Sequence, residues 1–592
     1  MPASLLNRRR FVLAAGASAT LPLMAPRPAH ALTLFFSPWV QPYRDALPVP
    51  PWRSGSQDLP MAEATHRFHS DYPTSQTWGY GGQTYHGPTV QAFQGQPITL
   101  NLPNRLGRHV LAANVDTTLH HMSTDDIVAP RANIHLHGHL SQPQHDGHAF
   151  DTYRRGATRP YYFENKDAAR HFWFHDHSAG MTRLNVAAGL SSQYIVRDVF
   201  DTGEPGNLLG LPAGEFEIPL QIQDRMFDSN GRLSYRMTPL VAADRWSGTW
   251  VGDRVAVNGV VWPRLAVARA VYRFRILNSS SARFYALTLR GQAPMYVIGT
   301  DHGLLDAPLA ASSLRIAPGE RYDVLIDFRS ARAGSRIEMR NTEEPSSVNR
   351  IAGSGVIPQI MAFDVGSASG PLQSIPATLR GGPNQPPRLA PAPTPTVRRV
   401  MTLRQLIDLS RLFPPIMMSL NNLMFDTEYV DIAKAGTTEV WDIVNTTDQP
   451  HPIHIHMMTL RLVHRQSYDW AGYHLFNPAP PLGRPWRPAP DRFLIGRPTL
   501  ASGYERAPKD VIIAAGFQVT RILVTWPSAN ELGFDPDATF PAGVLTTHDP
   551  GGTGEHVHSD HDHHGDLRGY VWHCHMLDHE DHDMMLPIRL QL

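Results

Sequence analysis

The chain has a single cysteine, Cys574, in 592 residues. An internal disulfide is therefore impossible, and stability must come from packed cores, which a chain of this length can build. Charge bias is missing too, since Lys+Arg and Asp+Glu both number 53. That balance offers nothing to a polyanion, so neither nucleic acid nor an acidic membrane surface is expected as a partner. Beyond the N-terminal leader no stretch reaches the roughly 18–20 apolar residues of a membrane-spanning helix. Helical periodicity is scarce as well. What the chain has in quantity is turn punctuation, with 52 prolines and 45 glycines, together with 31 histidines.

Residues 1–31 read as an export signal. Arg8, Arg9 and Arg10 form a basic start, a modest apolar run follows, and small residues end at Ala29-His30-Ala31. The stretch Asn7 to Val12 resembles a twin-arginine signal, which exports folded proteins in bacteria. A periplasmic or otherwise exported location is the expectation.

The rest reads as short β-runs between Gly, Pro, Asn and Asp. "PITLNL", "YRFRIL", "RYDVLIDF", "VIIAAGFQVTRILVTW" and "LPIRLQL" place branched and aromatic residues at alternate positions. Strands at this spacing, without regular helices between them, predict an all-β chain of β-sandwiches. "GGPNQPPRLAPAPTPTVRR", residues 381–399, reads as an extended proline-rich tether rather than part of a sheet. A softer joint falls near residues 196–216. Three domains follow, at 45–200, 212–380 and 400–592. "HDPGGTGEHVHSDHDHHGD" (548–566) reads as a loop: a solvated insertion, or through its histidines at 548–564 a place that captures metal ions.

Four segments pair their histidines: "HLHG" (His135, His137), "WFHDHS" (His175, His177), "HPIHIH" (His451, His454, His456) and "HCH" (His573, His575). In a strand, residues i and i+2 share a face, so each H-x-H pair can aim two imidazoles into one cavity. Two pairs lie in the first domain and two in the last, which predicts a site between domains. On a strand through "HCH", His573 and His575 face one way and Cys574 the other. The thiol can thus serve one metal while its neighbours serve a second centre a few bonds away. His451 has opposite parity to His454 and His456, although Pro452 could bend the strand there. Cys574, His451 and His579, with Met584 as a weak axial ligand, form the set of a blue-copper electron-transfer site. Met417, Met418, Met457 and Met458 read as core.

At this point the sequence resembles the multicopper oxidases, in their bacterial form with three cupredoxin domains. "WGYGGQTYHGPTV", "TRLNVAAGL", "VNGVVWPRL", "YRFRILNSSSAR", "IAPGERYDVLIDF" and "HEDHDMMLPI" are similar to stretches of spore-coat laccases, bilirubin oxidases and phenoxazinone synthases. The resemblance implies Greek-key β-sandwich domains and four copper ions. Cys574, His451, His579 and Met584 would hold the type 1 ion. His135 and His454 would hold the type 2 ion. His137, His175, His177, His456, His573 and His575 would hold the type 3 pair. Glu580 and Asp146 align with acids that supply protons for reducing dioxygen to water. Gly138 sets the family register, so His135 and His137 are preferred over a competing His139.

The resemblance implies an oxidase taking single electrons from phenols or aromatic amines, with O2 as acceptor. Donor choice would rest with loops around an exposed edge of His451. Residues 548–564 favour an alternative, a metallo-oxidase acting on Cu(I) or Mn(II), although no methionine-rich insert accompanies them. A non-catalytic cupredoxin scaffold is disfavoured because every ligand position is filled. A monomer is expected.

Overall fold

The computed structural model describes residues 36–236, 246, 248–291, 293–345, 355–371, 374–407, 416–542 and 566–592. The leader at 1–31 and the histidine-rich segment at 548–564 lie outside the described residues. Alternation in the sequence becomes alternation in burial. Along strand Ile98–Pro103, Ile98, Leu100 and Leu102 are buried while Thr99, Asn101 and Pro103 are less so. Strands Gln57–Asp58 and Thr158–Phe163 flank that strand to make one layer of the first sandwich. The opposing layer is a five-stranded sheet ordered Trp52–Ser54, Thr89–Phe93, Ser191–Arg197, Arg170–His175, His135–His137. Apart from Arg170–His175 and Ser191–Arg197, neighbours in this sheet are not consecutive strands in sequence, as Greek-key crossovers require.

Two further pairs of sheets follow, one from strands between residues 217 and 369 and one from strands between 397 and 591. Each sandwich has its own apolar centre: Leu100, Tyr161 and Phe172 in the first, Phe274, Val324 and Phe363 in the second, Trp441, Ile522 and Trp572 in the third. The fold is all-β, with three β-sandwich domains. Among the described residues no helix is long and apolar enough to cross a membrane. The proline-rich tether is shorter than its composition suggests. Val397 to Arg399 pair with Glu439 to Trp441 as the start of strand Val397–Ile407, because alternation takes over where the prolines stop. Met418, Met457 and Met458 are core residues, and Met417 is half-buried.

One sheet of the third sandwich positions the histidines. Strand His451–Ile455 lies between Val511–Ala514 and Tyr570–Cys574, with Ile453 opposite Cys574 and His454 opposite His573. Pro452 does not bend it: it pairs with Ile513 in register, and its carbonyl accepts the His575 N–H at 2.7 Å. The parity read from the sequence therefore survives the proline.

Candidate metal centres

Opposite-facing side chains along these two strands feed two separate constellations. On one face, His451 Nδ1 and Cys574 Sγ are 3.4 Å apart, Cys574 Sγ and His579 Nδ1 3.6 Å, and the two Nδ1 atoms 3.3 Å. Three donors in so even a triangle suit one ion at their centre, in the His2Cys trigonal pattern of blue-copper sites. The rest of the network fixes which nitrogens are free. Thr249 donates its hydroxyl proton to Gln449 Oε1 (3.0 Å), so its oxygen accepts from His579 Nε2 at 2.8 Å. The Thr447 hydroxyl donates to Asn445 Oδ1 (2.9 Å) and accepts from His451 Nε2 (2.8 Å). Both imidazoles thereby keep their Nδ1 lone pairs for the triangle. Met584 is fully buried in the same apolar cluster as Cys574, and its carbonyl accepts the Cys574 N–H at 3.0 Å.

The other face meets the first sandwich. Strands His135–His137 and Arg170–His175 pair with His135 opposite His175, and the chain then turns so that His177 N–H donates to Asn133 Oδ1 at 2.9 Å. His177 thus stands beyond the strand. Ligand atoms of His137, His175 and His575 lie within 4.8 Å of one another, as do those of His177, His456 and His573, and those of His135, His454 and His456. The H-x-H pairs share one cavity, but in the first, second and fourth segments the two members go to different groups, so each of these pairs bridges two neighbouring groups. The groups contain the type 3 and type 2 ligands that the family resemblance implied.

Burial gives these imidazoles their chemistry. It lowers the pKa of His451 and of His456 to about 3, the latter with help from neighbouring His135. Burial, then Arg321, holds His137 well below the ordinary histidine range. These three rings are thus neutral, the form that ligates metal. His135 Nε2, His175 Nε2, His454 Nε2 and His456 Nε2 are buried without hydrogen-bond partners. Orphaned buried nitrogens on converging rings are what a cluster of cations would satisfy, so the residues fit copper.

Two carboxylates cross between the domains to hold these rings. Asp146, from the first sandwich, accepts His135 Nδ1 on its backbone carbonyl (2.7 Å) and His456 Nδ1 on its carboxylate (2.6 Å). Asp510, from the third, accepts His454 Nδ1 on its carbonyl (2.8 Å) and His137 Nε2 on its carboxylate (3.2 Å). Each aspartate thus steadies one ring of its own domain and one across the interface. The rings that share an aspartate's opposite ends stack across it: His135 on His456 at 3.8 Å, and His137 on His454 at 3.7 Å, both pairs inclined by 15°. Burial would raise the Asp510 carboxyl, but Arg321 of the second sandwich, gripping both its oxygens at 2.6 Å, holds it low. Gly138 has φ +85°, and a Cβ there would sit 2.1 Å from Asp510 Oδ2, so only glycine leaves room for this contact.

Glu580 is buried with both oxygens unbonded, 3.0 Å from His573 Nδ1 and 3.4 Å from His177 Nε2. His139 is drawn away from the groups: its Nδ1 meets Ser141 Oγ at 3.0 Å and its Nε2 lies 3.4 Å from Asp167. The expected exposed edge of His451 is corrected: the residue is 0 % exposed, because Thr447 covers Nε2. Asp510, Arg321, Thr249 and Thr447 were not singled out in the sequence. Asp510 follows Lys509 directly before strand Val511–Ala514, and no spacing marks it.

Three family models described as multicopper oxidase match residues 127–199, 242–345 and 393–482. The chain is 30 % identical to a laccase of Bacillus subtilis, over 93 % of this chain and 98 % of that one. It is also 30 % identical to the rice protein "Multicopper oxidase LPR1 homolog 1", over 98 % of each. Its fold is similar to the McoA multicopper oxidase of Aquifex aeolicus, with a TM-score of 0.67, 23 % identity and coverage of 93 % of this chain and 99 % of that one.

For Asp510→Asn, loss of the charge facing His137 is expected to weaken metal binding in the histidine groups about 10–100-fold. The Cys574 triangle makes no contact with this side chain. Metal content should therefore fall while the blue colour persists; full metal content at limiting copper would show that Asp510 positions nothing.

Proposed function

The chain belongs to the multicopper oxidases, and from that premise we propose that it is an exported, laccase-like member oxidising small phenols or aromatic amines with O2 as acceptor. The carrying observation is the strand Tyr570–Cys574, which sets the thiol of Cys574 in the triangle and the rings of His573 and His575 in two of the histidine groups. Four bound copper ions would supply the redox chemistry, one accepting electrons singly from the donor and three passing four of them to dioxygen, which with four protons leaves as two water molecules. The chain itself supplies the path, because from the Cys574 sulfur each neighbouring histidine ring is reached through covalent bonds alone.

A cavity of about 190 Å3 adjoins the triangle, bounded by Val251, Phe284, Pro450 and Met576, with Arg315 and Glu343 paired at 2.7 Å on its rim. An apolar cavity of about 150 Å3 holds benzene, so this one has room for a substituted aromatic ring. Pro450 directly precedes His451, and Met576 stands two residues beyond Cys574. A donor seated there is therefore close to the ligands although His451 itself is covered. Glu580 is suited to holding protons beside the histidine groups because its oxygens accept no hydrogen bond. Asp146 faces the same rings, but although burial would raise its carboxyl, His456 and His135 hold it below the usual range. The twin-arginine-like leader supports export. A second reading, a metallo-oxidase acting on Cu(I) or Mn(II), is favoured by the histidine-rich sequence at 548–564.

Oxygen uptake by the copper-loaded protein discriminates the two. Uptake with a phenol, undiminished when 548–564 is deleted, is expected; uptake only with Cu(I) or Mn(II), and lost on that deletion, would overturn the phenol assignment. Cys574→Ser should abolish blue colour and donor oxidation while leaving the denaturation midpoint close to wild type. Normal turnover in that variant would exclude the triangle as the site where electrons arrive. Glu580→Gln should keep the colour and slow oxygen uptake about 100-fold, the scale of a lost general acid. Unchanged uptake would remove Glu580 from proton delivery.

A further inference from the structure

A third histidine constellation lies outside both centres. His120 and His121 sit in "TTLHHMSTDD" of the first sandwich, their ring centroids 3.7 Å apart and the planes inclined by 35°. His120 Nδ1 lies 3.4 Å and His121 Nε2 3.6 Å from Asp583 Oδ1, which comes from the last residues of the third sandwich. Asp583 Oδ1 also accepts the Phe425 N–H at 3.1 Å, but its Oδ2 and the His121 Nε2 are buried without a hydrogen bond. The Asp583 side chain is 1 % exposed, and among the described residues its only ion-pair partners are these two histidines. When they are neutral, a buried carboxylate stands without a cation, a costly arrangement.

We propose that His120, His121 and Asp583 bind a divalent first-row transition cation, Zn2+ or Cu2+, separate from the oxidase centres. Two imidazoles and a carboxylate are ligands these ions favour. Ligand atoms about 2.1 Å from a tetrahedral ion stand about 3.4 Å apart, which matches the 3.4 and 3.6 Å found here. Asp426 faces the far nitrogen of His120 at 3.6 Å, the outer carboxylate that steadies a ligating imidazole. The His120 side chain is 36 % exposed, so ions reach this site from solvent. Asp583 directly precedes Met584, and a cation here braces the loop carrying Met584 against the first sandwich.

The test titrates Zn2+ into the full chain and into His120→Ala/His121→Ala, each loaded with copper and then stripped by a chelator of ions held at solvent-accessible sites. Ions held by residues 548–564 are common to both and cancel in the difference. Wild type is expected to bind one more Zn2+ than the variant and to gain a Zn2+-dependent rise in unfolding temperature that the variant lacks. Equal stoichiometry and equal rises would overturn the site. Should the double variant lose its blue colour through misfolding, His120→Ala alone, at a partly exposed position, is expected to weaken the Zn2+ binding at least tenfold; unchanged affinity there would overturn the site equally.

Discussion

The two-residue period of one β-strand governs this molecule. Because His573 and Cys574 leave strand Tyr570–Cys574 on opposite faces, the thiol points into the third sandwich's apolar core, while the imidazoles must find their partners in another domain. A register slip of one residue would exchange the two faces and destroy both constellations together. The sandwich behind Cys574 therefore has to be rigid, and Trp441 packed edge-on against Trp572 at 5.4 Å serves that end.

Eight imidazoles crowded into one buried space need a second source of order. Asp146 and Asp510 provide it through the same device used in opposite directions, carbonyl to a ring of their own domain and carboxylate to a ring across the interface. Arg321 ties the second sandwich to the same point. All three domains thus converge on a few hydrogen bonds, and relative motion of the domains is felt directly at the rings. The triangle is held differently, by hydroxyl groups whose own protons are committed elsewhere.

The convergence of the paired histidines was legible in the sequence because strands turn spacing into direction: the H-x-H pairs and the parity of Cys574 needed only the alternation rule. Sandwich architecture was legible from the same alternation and from turn residues. The supports were not. Thr249 lies 330 residues from the ring it caps, and Asp510 lies 373 residues from His137. Such contacts depend on how domains dock, which leaves no periodic trace. The covered state of His451 was missed for that reason, since the threonine above it looks like any loop residue. His177 was read as a strand residue, yet it follows a turn whose geometry is set by Asn133 from a neighbouring segment.

The crossed arrangement of rings also sets an order of events during synthesis. His137 and its neighbour His575 are separated by 438 residues. A nascent chain holding only the first sandwich presents two-histidine stubs, each too sparse to retain an ion firmly against competition. Two of the three histidine groups, and the Cys574 triangle, stay incomplete until strand Tyr570–Cys574 has emerged and docked. Metal acquisition is thereby a late step that reports completion of the whole chain, and a truncated product lacking its last twenty residues would be metal-poor even with the first two sandwiches folded.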